Sequence, residues 1–145
     1  IYMRSGDSVC LRGLLSMGED ESKASFVSNG GGFAVLQDQE VRVIIEKTSR
    51  TSKKNRLIKS GDTVLFKMIT QKEARYLTIH RGWWLKWVTT IPSKNGFFTI
   101  CHHDGNLENI DQIGAPTNDS YFTMGASFTL RHKRWSSYFV GVAGE

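Results

Sequence analysis

An all-β domain is predicted by three features of the sequence. Helical periodicity is hard to find anywhere in its 145 residues. Short runs of alternating apolar and polar residues recur instead, bounded by Gly, Asn, Asp and Ser, which is the pattern of strands and turns. The third feature is self-similarity: "MRSGDSVCLRGL" at 3–14 returns as "IKSGDTVLFKMI" at 58–69, so that Ser5-Gly6-Asp7-x-Val9-x-Leu11 repeats as Ser60-Gly61-Asp62-x-Val64-x-Phe66. A degraded third copy runs Gly125-Ala126-Ser127-Phe128-Thr129-Leu130-Arg131, with Phe128 and Leu130 at the apolar positions. Internal repeats constrain a fold more than any single element does.

Each Ser-Gly-Asp is expected to be the turn that starts a unit, Gly allowing a positive φ and Ser or Asp satisfying nearby backbone donors. After the first copy come the strand-like runs "ASFVSN", "GGFAVLQ" and "EVRVIIEK", with "NGGGF" as a hairpin turn. After the second come "ARYLTIH", "WWLKWVTT" and "GFFTICHH", in the same order. In the "WWLKWV" run, strand alternation sends Trp83, Leu85 and Trp87 to one face and Trp84, Lys86 and Val88 to the other. The third copy continues from "ASFTLRHKR" into "SSYFVGVAGE", where Tyr138-Phe139 is aligned with Tyr76-Leu77. Strands matching "WWLKWVTT" and "GFFTICHH" are missing there, so the sheet is expected to stay open, with an exposed edge. The connections "TSRTSKKNR" and "DGNLENIDQIGAPTNDSY" read as surface loops.

Four strands repeated about three times is the plan of the β-trefoil, here with units of about 1–50, 56–104 and 120–145 in one domain, the third incomplete. Gly61-x-x-Val64-x-Phe66, then Arg75-Tyr76-Leu77, then Gly96-Phe97-Phe98-Thr99-Ile100 carry a further likeness. In these the chain resembles the MIR-like intracellular trefoils, found at the front of inositol-trisphosphate and ryanodine receptors and inside Notch-pathway DNA-binding factors. The resemblance implies a fold more than a function. It implies a module inside a larger intracellular protein; a large bridge-like lipid-transfer protein of the vacuolar protein sorting, chorein-containing type is one host considered, which would tie the module to lipid transport on fold analogy alone.

Length and composition agree with a single folded domain: 39% hydrophobic residues, 11% aromatic and two prolines. No apolar run approaches the roughly 20 residues that span a bilayer. The start Ile1-Tyr2-Met3, without an initiator methionine or leader, suggests an excised domain or a processed chain. Cys10 and Cys101 share no metal or disulfide spacing, so a reduced, cytoplasmic compartment is expected. The single sequon Asn118-Asp119-Ser120 weighs little against this.

Two surfaces are candidate sites. The run from Lys47 to Lys59 carries Lys53, Lys54 and Arg56 and no acid, and Arg131, Lys133 and Arg134 form a second cluster; with a net charge of +5 they offer an anion-binding surface for phosphate on lipid or nucleic acid. The bland alternative is a solvated inter-unit loop. The other candidate is the aromatic hairpin, where Arg81, Trp83, Trp84 and Lys86 place large rings beside charges, as protein-binding surfaces do. Trp84 is the expected exposed anchor, and Trp87 is expected in the core. Cys101-His102-His103-Asp104 is not read as a metal site, because neighbours on a strand point to opposite faces. No catalytic motif or phosphate-binding loop is present, so no cofactor and no enzymatic activity are expected. The expected function is a non-catalytic interaction module docking a protein partner or peptide, the alternative being anionic lipid or nucleic acid bound through the basic loops. In the lipid case it would lie at the surface of an organelle membrane. A carbohydrate partner is not expected, since the repeated Gln-x-Trp motifs of ricin-like lectins are absent.

Overall fold

A computed structural model describes residues 2–13, 26–37, 39–48, 56–80, 84–91, 96–102, 121–132 and 135–143, with the backbone alone described at 13, 35–37, 80, 84, 127, 132 and 135–143. Among the described residues ten strands are formed, each antiparallel to its neighbours. The first repeat supplies β1 (Ser8–Gly13), β2 (Phe26–Gly30), β3 (Phe33–Gln37) and β4 (Arg42–Lys47). The second supplies β5 (Thr63–Ile69), β6 (Ala74–His80), β7 (Trp84–Val88) and β8 (Phe98–His102). The degraded copy supplies β9 (Ser127–His132) and β10 (Trp135–Ala143). These strands fall where the alternating runs predict them.

Pairing runs β1–β4–β5–β8–β9–β10 and returns from β10 to β1, a closed barrel. The expected open sheet is therefore corrected. The first half of β10 lies on β9, from Trp135↔His132 to Val140↔Ser127, and its second half lies on β1, from Phe139↔Gly13 to Val9↔Ala143. Closure leaves neither neighbour with a bare edge. In each of the first two repeats the strand that starts the unit meets its fourth strand 36 residues later, Ser8 opposite Ile44 and Thr63 opposite Thr99. In the third, Ser127 meets Val140 after only 13. Among the described residues the third copy shows no counterpart of β2–β3 or β6–β7, while the strand that closes the barrel is present. The alignment of Tyr138 with Tyr76 is corrected too: Tyr76 faces Lys67, five residues after Asp62, and Ser136 faces Arg131, five after Ala126.

The repeated corners account for the closure. Three short segments, Tyr2-Met3-Arg4, Leu57-Ile58-Lys59 and Tyr121-Phe122-Thr123, meet at one end of the barrel through the bridges Tyr2↔Thr123, Arg4↔Leu57 and Lys59↔Tyr121. Their middle residues close a ring of backbone bonds: Met3 N–H donates to Phe122 (2.8 Å), Phe122 to Ile58 (2.9 Å) and Ile58 to Met3 (3.1 Å). Each segment then turns through a glycine at positive φ, +96° at Gly6, +96° at Gly61 and +86° at Gly125, a conformation costly for any residue with a Cβ. The serines and aspartates of the first two corners do matching work. Ser5 Oγ accepts from Lys47 N–H and Ser60 Oγ from His102 N–H, each across 42 residues, while Asp7 and Asp62 accept from the N–H groups of Arg4 and Lys59.

Alternate residues of the barrel strands fill its interior: Val9, Leu11, Val43, Ile45, Val64, Phe66, Phe98, Ile100, Phe128 and Leu130 are all buried. Phe66 and Phe98 stack at a tilt, with centroids 6.1 Å apart. Met3, Ile58 and Phe122, none more than 1% exposed, seal the mouth from above, so the barrel is a packed core and no pore.

Candidate functional site

Away from this mouth, two hairpins cover the other end of the barrel. β2 and β3 pair from Phe26↔Gln37 to Gly30↔Phe33, and β6 and β7 from Tyr76↔Val88 to His80↔Trp84. The first turns tightly through Gly31 (φ +64°) and Gly32 (φ +94°), and Asn29 Oδ1 accepts from Gly32 N–H at 2.8 Å. The hairpins are stitched together there. Trp87 N–H donates to Gly32 O (2.8 Å), its indole Nε1–H to Ser28 O (3.1 Å), and Phe33 pairs with Lys86. Trp87 is buried, as expected, and Leu85 packs against the core from the same face of β7. Burying an indole whose N–H finds a carbonyl gains its large apolar area without a stranded donor.

On the opposite face of β7, Lys86 extends its ammonium to 4.9 Å from the ring centroid of Phe33, which is 40% exposed. The result is an aromatic ring and a cation held together on a rigid strand pair. Trp84 occupies the first position of β7 after the hairpin turn, opposite His80, just as Phe33 occupies the first position of β3, opposite Gly30. Phe33 is met by the next hairpin along, through Lys86; among the described residues β10 pairs with β9 and β1, and no strand of the third copy pairs with Trp84. The side chain of Trp84, and the whole of Arg81 and Trp83, lie outside the described residues.

Two of the six basic residues, Arg56 and Arg131, lie among the described residues. Arg56, exposed, lies at the mouth, where its guanidinium donates to Ser5 O at 3.0 Å. Arg131 sits toward the far end of β9, opposite Thr99, about 16 Å along the strand from Ala126. Lys53, Lys54, Lys133 and Arg134 lie outside the described residues, as do His103 and Asp104. Lys47 is turned inward, pairing with Asp62 at 3.3 Å and donating to Leu57 O. Cys101 is buried and burial pushes its thiol up, with Arg131 opposing the shift; Cys10 is likewise buried and raised. Such thiols are weak nucleophiles. The His102 ring lies 4.0 Å from that of Phe122.

Sequence reasoning missed the exposed Phe33 and the surface of the mouth. A signal for the latter was present: counting back from Gly6, Gly61 and Gly125, the third residue is a large apolar one each time, Met3, Ile58 and Phe122, flanked by residues that the strand alternation sends outward.

No protein family and no curated protein matches the chain. Among solved structures it is similar to the binding domain of botulinum neurotoxin serotype D, with a TM-score of 0.56 and 11% sequence identity, covering 98% of this chain and 38% of that one. The likeness is one of fold. Among the described residues no helix is long and apolar enough to cross a membrane.

Proposed function

We propose that the chain is a β-trefoil whose third unit has lost its hairpin, and that it serves as a non-catalytic interaction module docking a protein partner at the hairpin cap. The observation that carries this is the register of β7: Trp84 stands where the cap of a complete trefoil brings in a neighbouring hairpin, and the described part of unit three supplies none. An aromatic residue at such a place, beside the Phe33–Lys86 pair, has the chemistry of an interface anchor. The likeness to a solved binding domain supports the fold part of this reading. The buried, unbridged cysteines suit a cytoplasmic module of a larger protein.

Capture from lysate with the wild-type domain and with Trp84→Ala tests the proposal. Trp84→Ala loses the captured protein, by roughly thirtyfold in affinity if it behaves as a hot spot, and keeps its melting temperature. Trp87→Ala instead loses about 3–5 kcal/mol of stability, because it empties a buried site. Undiminished capture by Trp84→Ala contradicts the cap as the docking site.

A further inference from the structure

The barrel mouth has the makings of a second binding surface, on the opposite end from the cap. Its three bridged segments bury their middle residues and turn the others outward: Tyr2 and Tyr121 are 53% and 36% exposed, and Arg4, Lys59 and Thr123 are exposed beside them. The two tyrosine rings meet edge to face, 6.3 Å between centroids at 76°. Arg56, held by Ser5 O, adds a third cation to Arg4 and Lys59.

The nearby acids do not offset these cations equally. Asp62 accepts from Lys59 N–H and is neutralised by Lys47, whose ammonium is only 3.3 Å away and shielded from solvent. Asp7 is engaged by the Arg4 N–H. Counting Lys47 and both aspartates, four cations face two acids among the described residues, a positive excess around a pair of aromatic rings.

We propose that this mouth binds an acidic, extended segment of a partner protein, its carboxylates meeting Arg4, Arg56 and Lys59 and an apolar side chain resting on Tyr2 and Tyr121. The segment is held through side chains, since the N–H groups of Met3, Ile58 and Phe122 are already spent on the ring that seals the barrel. The seal also rules out a ligand entering the barrel: the face is a platform. A protein segment fits better than a bilayer, because Tyr and Arg are enriched at protein interfaces and the exposed aliphatic Ile69 lies at the end of β5, remote from the mouth.

The proposal rests on the interaction-module reading but on a different face. Fluorescence anisotropy with a labelled synthetic peptide of alternating Glu and Leu tests it, beside an alternating Glu and Ser peptide and phosphatidylserine vesicles. The Glu-Leu peptide binds the wild type more tightly than the Glu-Ser peptide. The double variant Arg4→Glu, Lys59→Glu weakens it by about tenfold or more, and Tyr121→Ser removes the preference for Leu, with melting temperatures near wild type because these side chains are exposed. Lys86→Glu, on the cap, leaves peptide binding unchanged, so a failure at the mouth is told apart from a failure at the cap. Absence of peptide binding, equal binding by the charge-reversed variant, or binding of vesicles without the peptide overturns the proposal.

Discussion

The second and third repeats begin alike and diverge within a few residues. Both start with a buried apolar residue in the sealing ring, turn through a positive-φ glycine and send a strand along the barrel wall. The second corner then ties itself down with polar bonds: Ser60 Oγ to His102 N–H, Asp62 to Lys59 N–H and Lys47. The third has Met124 and Ala126 at those places, and both pack against the core. Side-chain hydrogen bonds fasten one corner and apolar contact the other, around the same backbone bond, Asp62 N–H to Lys59 O and Ala126 N–H to Thr123 O. The difference teaches that the glycine and the buried ring residue make the corner, whereas Ser and Asp are one of two ways to fasten it. Farther on, the second repeat leaves the barrel for a hairpin and returns; the third turns back from β9 directly into β10, which pairs with β9 and then with β1.

The largest expected effect sharpens this contrast at the ring. Phe122→Ala costs about 3–5 kcal/mol in urea melts, since it removes a fully buried ring that also contacts Phe128, with centroids 6.3 Å apart. Asp62→Ala should fall well short of that, showing that the third corner depends on packing more than the second depends on its caps. Next comes the continuous strand. Val142→Pro costs about 1–3 kcal/mol, because position 142 lies within the pairing with β1, opposite Cys10, and proline removes a backbone donor there.

An effect of similar size tests the shared backbone. Gly61→Ala and Gly125→Ala each cost about 1–3 kcal/mol, a side chain at positive φ being strained in either corner whatever fastens it. If only Gly61→Ala is costly, the corners are not equivalent. Ser60→Ala costs about 1–2 kcal/mol by stranding the His102 N–H, an effect for which the third corner has no counterpart. The smallest concerns the wall between repeats. Lys67 and Glu46 pair at 2.8 Å, and that hydrogen bond, the leading cause, raises the Lys67 ammonium above its ordinary 10.5 against some loss to burial. A raised folded value means the contribution is complete below pH 10.5 and is lost as pH climbs through the raised value. It amounts to under about 1 kcal/mol for a partly exposed pair, and Lys67→Met abolishes the pH dependence.

Much of this was legible in the sequence because the units repeat. Alternation placed each strand, and the paired Ser-Gly-Asp motifs located two corners whose bonds match atom for atom. Trp87 could be assigned inward because Leu85 shares its face. The closure by β10 was not legible: "SSYFVGVAGE" reads as one strand, and nothing in its alternation says that it takes two partners in succession. Nor was the mouth, whose residues are brought together by bridges across 53 residues from Arg4 to Leu57 and 62 from Lys59 to Tyr121. Phe33 escaped notice because its exposure depends on a neighbouring hairpin supplying Lys86, a contact that local pattern does not encode.

Amide hydrogen exchange tests most directly the claim on which the proposed docking place depends, that β10 both follows β9 and closes the barrel. Exchange in the segment 139–143 should be as slow as in β1, its partner, and should open only with global unfolding. Exchange in 139–143 that is orders of magnitude faster than in β1 would mean that the barrel is not closed by this strand, and the account of the third repeat would fail with it.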